Sequence, residues 1–221
     1  MALAIRKIGQ LGKKKKSPKA ELTRYWDPHL SKRAIKLRPG EQYLSTTDEM
    51  LVTVAGVTCV VCLKDPNEGI LGMVNFCVPS QDISSLDARG HAQAERYGRE
   101  QLDKLIMAFR KEGSDLRNLE VSIIGGTAWS NADERAIGDT LCLIRQYLAK
   151  YNIQTQVEYV GGNHPKKVYW TLQDDIPHVR VLQEVSGTVA NREKYYQMSD
   201  YTIESDGISV NDLYKLINKI I

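Results

Sequence analysis

Residues 53–66, TVAGVTCVVCLKDP, form an apolar, β-branched run that ends in an Asp-Pro dipeptide. With the apolar residues just before it, this run predicts one buried strand over residues 50–63, and the polar residues 65–67 are typical of a turn. A second apolar run over residues 69–78 predicts another strand, so the two strands are expected to pair as a hairpin. Two cysteines, Cys59 and Cys62, then lie in the middle of the predicted sheet.

Mixed helical and strand patterns follow the hairpin. Apolar residues spaced three and four apart predict a helix over residues 89–111 that ends before Gly113, and a second helix over residues 133–150. The apolar faces consist of Leu102, Leu105, Ile106 and Phe109 in the first helix, and of Ile137, Leu141, Ile144 and Leu148 in the second. Further strands are predicted at residues 119–124, 154–160, 167–172 and 179–183.

The composition is that of a soluble globular protein. The chain has 221 residues, of which 42% are hydrophobic and 26% are charged, and this length favours one domain. No apolar run approaches the roughly 18 residues of a membrane-spanning helix, and the N-terminus lacks a signal-peptide core. Four cysteines are too few for a disulfide scaffold of this length. We therefore expect a cytoplasmic protein with reduced thiols.

Three regions are predicted along the chain: a basic flexible tail over residues 1–20, a folded domain over 21–200, and an extension over 201–221. The tail holds seven Lys or Arg and no acidic residue. We expect it to be solvated, with contact to an anionic surface as the alternative, and nucleic-acid binding is not expected because no base-stacking aromatic residues accompany the charge. Residues 209–221 predict an amphipathic helix that docks on its own domain or, alternatively, binds a partner.

Nine short segments between residues 34 and 196 occur in an order typical of one family. They are AIKLRPGEQYLST (34–46), EMLVTVAG (49–56), CLKDP (62–66), GILGM (69–73), ERYG (95–98), IIGG (123–126), IG (137–138), VGGNHPKKVYW (160–170) and TVANREKYY (188–196). In this order they resemble the CheD chemoreceptor glutamine deamidases of bacterial chemotaxis. The resemblance implies a layered α+β domain with strands packed under two main helices, and it implies no cofactor.

The resemblance also implies a substrate and partners. The substrate is a glutamine side chain on the cytoplasmic helices of a chemoreceptor, and a CheC-type phosphatase is the known partner class. Hydrolysis of a primary amide needs a nucleophile, for which a thiolate is well suited, and an imidazole that moves protons near neutral pH. The family supplies a Cys and a His, with a threonine nearby that Thr53 matches.

The family's catalytic pair is replaced when the segments are aligned without gaps. The nucleophile position is then Thr58, and the histidine position is Asn75. An internal threonine lacks the strong adjacent base that a hydroxyl nucleophile requires, and an amide cannot exchange protons near neutral pH. Such a pair could hydrogen-bond an amide but could not cleave it.

A one-residue gap after Cys59 offers a different register, in which Cys59 is the nucleophile. Because successive strand residues point to opposite faces, this register needs a bulge or a shortened turn to bring Cys59 to the correct face. The base would then have to be a histidine from elsewhere, such as His164. The glycine turn that carries His164 supplies the candidate binding residues Gly161, Gly162, Asn163 and His164.

The remaining cysteines and histidines receive structural interpretations. A redox or metal role for the Cys59-x-x-Cys62 spacing is disfavoured, because strand residues three apart face opposite ways and no second pair completes a tetrahedral site. Cys77 and Cys142 are expected to be small buried residues. His29, His91 and His178 are expected on the surface.

Two hypotheses of different classes remain, and they leave open whether the protein is an enzyme. The favoured one is a pseudoenzyme: a non-catalytic binding or regulatory homologue of the deamidases. The alternative is an active protein-glutamine deamidase that uses Cys59.

Overall fold

The computed structural model describes residues 22–78, 88–128 and 134–183, with the side chains of the second range described from Ala94 onward. The predicted basic tail over residues 1–20 and the predicted helix over residues 209–221 lie outside the described residues. So do residues 184–200 of the predicted domain.

The described residues form ten strands, two α-helices and one short 3-10 helix. The first six strands are β1 (Thr23–Asp27), β2 (Lys32–Lys36), β3 (Gln42–Ser45), β4 (Glu49–Ala55), β5 (Cys59–Asp65) and β6 (Ile70–Phe76). They are followed by α1 (Ala88–Lys111), the 3-10 helix Leu116–Asn118, β7 (Glu120–Gly125), α2 (Glu134–Lys150), β8 (Thr155–Val160), β9 (Lys166–Trp170) and β10 (His178–Val181).

The strands form two five-stranded sheets. The first sheet has the order β1-β2-β4-β9-β10, and the second has the order β3-β6-β5-β7-β8. Both helices contact the second sheet, while the first sheet packs on its opposite face. The result is an α+β domain with one layer of helices on two stacked sheets, which confirms the predicted fold class.

The second sheet is covered on both faces, so its central strand β5 is entirely buried. Cys59, Val61 and Leu63 belong to the core beneath the helices, whereas Val60 and Cys62 pack against the first sheet. This alternation is the period of two that every β-strand imposes. It confirms that Cys59 and Cys62 face opposite ways.

The predicted hairpin and both helices are confirmed. β5 and β6 pair antiparallel, with Cys59 opposite Phe76 and Asp65 opposite Ile70. The four predicted apolar residues of each helix are buried against the second sheet. After α1 the chain turns at Gly113, whose φ of 98° lies in the left-handed region that glycine adopts without steric cost.

The prediction of one strand over residues 50–63 is wrong. The chain leaves β4 in the first sheet, crosses at residues 56–58, and enters β5 in the second sheet. Both strands are almost fully buried, so the apolar run continues through the crossing and hides the break. The three short strands β1 to β3 were also not individually predicted.

Candidate functional site

Three loops meet at one edge of the second sheet. Residues 56–58 lead into β5, residues 126–128 follow Gly125 at the end of β7, and residues 161–164 follow β8. Because β7 runs antiparallel to β5 and parallel to β8, the start of β5 and the ends of β7 and β8 lie at this edge. We call these three loops the glycine edge.

Backbone hydrogen bonds hold the glycine edge together. The amide of Gly126 donates to the carbonyl oxygen of Thr58 at 3.0 Å, and the amide of Thr127 donates to that of Gly56 at 2.8 Å. The amide of Gly161 donates to the carbonyl oxygen of Gly125 at 2.9 Å. Gly125 has a φ of 113°, and a Cβ there would lie 2.3 Å from the Thr58 carbonyl oxygen. Only glycine fits this approach of two loops.

Thr58, the predicted nucleophile position, lies in the first loop of the glycine edge. The side chain is buried, and its Oγ1 atom has no hydrogen-bond partner. A buried hydroxyl without a partner is costly, so its presence marks a place where a ligand could supply the missing contact. No general base among the described residues accepts a hydrogen bond from this hydroxyl.

Asn75, the predicted histidine position, is fully buried in β6 and faces the first sheet. Its Nδ2 atom donates to Thr53 Oγ1 at 2.8 Å and to the Val54 carbonyl oxygen at 3.1 Å. Thr53 in turn donates to the Leu37 carbonyl oxygen at 2.9 Å. The two predicted positions 53 and 75 are therefore in direct contact across the sheet interface. The carbonyl acceptor of Val54 also fixes the amide orientation, and it leaves Asn75 Oδ1 without a partner.

Cys59, the alternative nucleophile, lies on the other face of the second sheet. It belongs to the core beneath the helices, and a Cβ built on Gly126 would lie 3.3 Å from its sulfur. Burial raises the pKa of the Cys59 thiol far above its ordinary value, and the neighbouring Cys77 raises it further, while Arg145 and Lys166 oppose the shift more weakly. The thiol is thus held in its protonated, unreactive form.

The candidate binding residues form an exposed turn at the glycine edge. Gly162, Asn163 and His164 are exposed, and Gly161 is half-buried. Both glycines have φ values near 80° (79° and 82°), so this turn also depends on the left-handed conformation. The structure therefore brings the predicted turn to the same edge as Thr58.

None of three histidines hydrogen-bonds to Cys59. His29 and His178 are exposed, as the sequence predicted, and His164 is exposed as well. His178 instead pairs with Asp174 at 3.1 Å. The side chain of His91 lies outside the described residues. Within the described ranges, no group of three or more His, Cys, Asp or Glu side chains could hold a metal ion.

The prediction that both remaining cysteines are buried is wrong for Cys142. That residue is exposed on α2 and accepts a hydrogen bond from Gln146, whereas Cys77 is half-buried and contacts Thr140. Cys142 follows Leu141 directly, so the helical period turns it away from the buried stripe.

Sequence reasoning missed one charged residue beside the glycine edge, Lys166, which is the first residue of β9. Its Nζ atom donates to Thr127 Oγ1 at 3.1 Å and to the Gly161 carbonyl oxygen. Burial lowers the pKa of this ammonium group. The sequence shows only a Lys166-Lys167 pair, and assigning Lys166 to the inner face requires the register of β9, in which Lys166 lies opposite the buried Ala55.

Comparison with known proteins identifies relatives over most of the chain. A family model described as CheD chemotactic sensory transduction matches residues 79–181. A probable chemoreceptor glutamine deamidase CheD of Saccharophagus degradans is 31% identical over 189 residues, covering 83% of this chain and 87% of that protein. Its counterpart from Laribacter hongkongensis is 31% identical over 191 residues, covering 83% and 90%.

A third relative gives the same result with a shorter overlap. The probable chemoreceptor glutamine deamidase CheD 1 of Burkholderia thailandensis is 33% identical over 171 residues, which are 76% of this chain and 72% of that protein. Identity at this level over most of both chains agrees with the order of segments found in the sequence and with the observed α+β fold. The chain therefore belongs to the CheD family.

Proposed function

We propose that this protein is a non-catalytic CheD homologue that binds the cytoplasmic helices of a chemoreceptor. The relatives are named chemoreceptor glutamine deamidases, which supports a chemoreceptor as the partner. A CheC-type phosphatase is the second partner class that the family resemblance implies. In either case the protein acts as a binding or regulatory component in the cytoplasm and does not hydrolyse the glutamine amide.

The hydrogen bonding of Asn75 carries this proposal. In the family resemblance this position holds the histidine that moves protons during amide hydrolysis. Here an amide occupies it, fully buried, with both N–H groups of the Nδ2 atom directed at acceptors on β4. An amide neither takes nor gives a proton near neutral pH, so this group can hold the two sheets together but cannot serve as a base.

The nucleophile position supports the same conclusion. Thr58 has a buried hydroxyl, and no imidazole or carboxylate of the described residues accepts its proton. An alcohol of high pKa needs such a base to attack an amide carbon. The hydroxyl can still donate a hydrogen bond to a carbonyl oxygen, which is a contact suited to binding.

The geometry around Cys59 argues against the alternative enzyme. Cys59 and its partner Phe76 face the helices, while Asn75 faces the first sheet, so the thiol and the predicted base position lie on opposite sides of β5 and β6. The thiol is also buried with a raised pKa. A nucleophilic cysteine normally has the opposite properties, namely a lowered pKa and partial exposure.

The proposal is tested with a purified chemoreceptor cytoplasmic fragment whose modifiable glutamines are intact. The wild-type protein should bind the fragment and leave its mass unchanged. Thr58→Cys combined with Asn75→His should produce measurable deamidation, and each single substitution should do much less, because nucleophile and base act as a unit. A mass increase caused by the wild-type protein would overturn the proposal.

A further inference from the structure

Lys166 is a buried cation without a carboxylate partner in the part of the chain that the structure describes. Its side chain belongs to β9 and points between the two sheets, where only 2% of the residue is exposed. Each ion pair found among the described residues involves another basic group. A buried ammonium has lost most of its hydration, and an anion within contact distance would restore the lost stabilisation.

One N–H donor of the ammonium has no hydrogen-bond acceptor among the described residues. An ammonium group carries three N–H donors, and two of them are directed at Thr127 Oγ1 and the Gly161 carbonyl oxygen. The Nζ atom also lies 5.1 Å from the ring centre of Tyr159, a cation–π distance. Both hydrogen-bond acceptors are neutral, so they hold the group in a fixed position without compensating its positive charge.

The ammonium lies just beneath the surface of the glycine edge. A Cβ built on Gly162 would be 3.9 Å from Nζ, and Gly162 itself is exposed. The ring of Tyr159 also covers the ammonium, and this residue is 44% exposed, so it lies at the surface. At this edge the ammonium is therefore covered by a glycine, which has no side chain, and by a partly exposed tyrosine ring.

We propose that Lys166 binds the carboxylate of a glutamate side chain, so that the glycine edge distinguishes glutamate from glutamine. This inference rests on the proposed function, because a non-catalytic homologue at a chemoreceptor meets both side chains. A carboxylate forms a charge-assisted hydrogen bond with the ammonium, whereas a glutamine amide offers only a neutral carbonyl oxygen. The protein then binds the deamidated receptor more tightly than the unmodified receptor.

The test uses two small probes that differ only in the side chain: the N-acetyl N-methylamides of glutamate and glutamine. Both are titrated into the wild-type protein, and binding is followed by chemical shifts of the Gly161 and Gly162 amides. The glutamate probe should bind about tenfold more tightly, which corresponds to the difference between charge-assisted and neutral hydrogen bonds. Equal binding of the two probes, or no binding of either, would overturn the proposal.

Matched variants identify the group responsible. Lys166→Met removes the charge and should abolish the preference for glutamate, while Lys166→Arg keeps the charge and should retain it. Lys167→Met is the control, because Lys167 lies on the outer face of β9 over the Tyr169 ring. Loss of the preference in Lys167→Met, or its persistence in folded Lys166→Met, would contradict the assignment. If Lys166→Met does not fold, the wild-type comparison still decides.

The small probes separate this inference from the proposed function. Neither probe requires a receptor, so a failure of receptor binding leaves the measurement unaffected. Mass analysis of the glutamine probe after incubation reports any hydrolysis independently. Conversion of that probe would overturn the non-catalytic assignment, whereas the preference for glutamate is decided by the titration alone.

Discussion

The two faces of the second sheet differ sharply next to the glycine edge. On the helix face, Cys59 and Phe76 belong to a continuous apolar core. On the opposite face, Asn75 and Thr53 form a buried polar contact that joins the two sheets. The thiol of Cys59 is therefore on the helix face, and the amide of Asn75 is on the other.

This difference shows that suitable residue types alone do not form a catalytic site. A thiolate needs strong stabilisation by a cation or base, and on the apolar face burial raises the pKa of Cys59 more than Arg145 and Lys166 lower it. A proton carrier needs a titratable group, and the polar face offers an amide and a hydroxyl. Among the described residues, neither face holds a complete pair of nucleophile and base.

The largest expected effect concerns thiol reactivity. With iodoacetamide at about pH 6–8.5, where an ordinary thiol begins to ionise, exposed Cys142 should be alkylated in the folded protein while Cys59 should not. The contrast in rate should reach at least about a thousandfold, because opening a core strand costs several kcal/mol. Peptide mapping after quenched labelling gives both rates.

The direction of the pH effect follows from the raised pKa of Cys59. A raised pKa keeps the folded thiol protonated throughout this range, so its labelling should stay slow until the protein unfolds. Fast labelling of native Cys59 below pH 7 would break the comparison, because it requires a thiolate on the helix face.

The second prediction concerns the packing of the helices on the apolar face of the second sheet. Phe109 is completely buried in α1, and its ring lies so close to β6 that a Cβ on Gly72 would approach it to 2.4 Å. Phe109→Ala should lower the free energy of unfolding by about 3–5 kcal/mol through lost burial and a cavity. Urea denaturation measures the change. A loss below about 1 kcal/mol, typical of a surface position, would show that the helices are loosely packed on the sheet.

The third prediction concerns the hydrogen bonds of Asn75 on the polar face of the second sheet. Asn75→Ala leaves the Val54 carbonyl oxygen without its donor and should lower the free energy of unfolding by about 1–3 kcal/mol. Thr53→Val removes Thr53 Oγ1, the acceptor of the second hydrogen bond that Asn75 Nδ2 donates. Because the two residues share one contact, the double variant should lose less than both single variants combined. Strict additivity in denaturation experiments would contradict the contact.

The smallest expected effect is at the rim of the helix face. Arg145 on α2 pairs with Glu158 on β8 at 2.6 Å, but both side chains are partly exposed, at 51% and 32%. A double-mutant cycle of Arg145→Ala and Glu158→Ala should give a coupling of about 0.2–1 kcal/mol that weakens with salt. A larger coupling that is insensitive to salt would mean that the helix layer depends on ionic contacts.

The sequence alone predicted the helices and strands whose apolar residues recur at a regular spacing. The stripe that includes Leu102 and Phe109 predicted α1 together with its buried face, and the turn at residues 65–67 predicted the hairpin. The alternation of Cys59 and Cys62 also followed from the strand period alone. These are local patterns, which need no knowledge of the neighbouring elements.

The rest depended on contacts between distant parts of the chain. The crossing at residues 56–58 lies within an unbroken apolar run, because the strands on either side are buried in two different sheets. The contact between Thr53 and Asn75, and that between Lys166 and Thr127, arise from strand pairing across the fold. Periodicity within one segment carries no information about such pairing.

The most direct test of the central claim is whether the wild-type protein deamidates a chemoreceptor. The purified receptor fragment is incubated for many hours with the wild-type protein or with Cys59→Ala, and the conversion of each glutamine is measured by peptide mass spectrometry. We expect both samples to match a control without protein. Conversion of glutamine to glutamate by the wild-type protein that is lost in Cys59→Ala would contradict the account and identify an enzyme that uses Cys59.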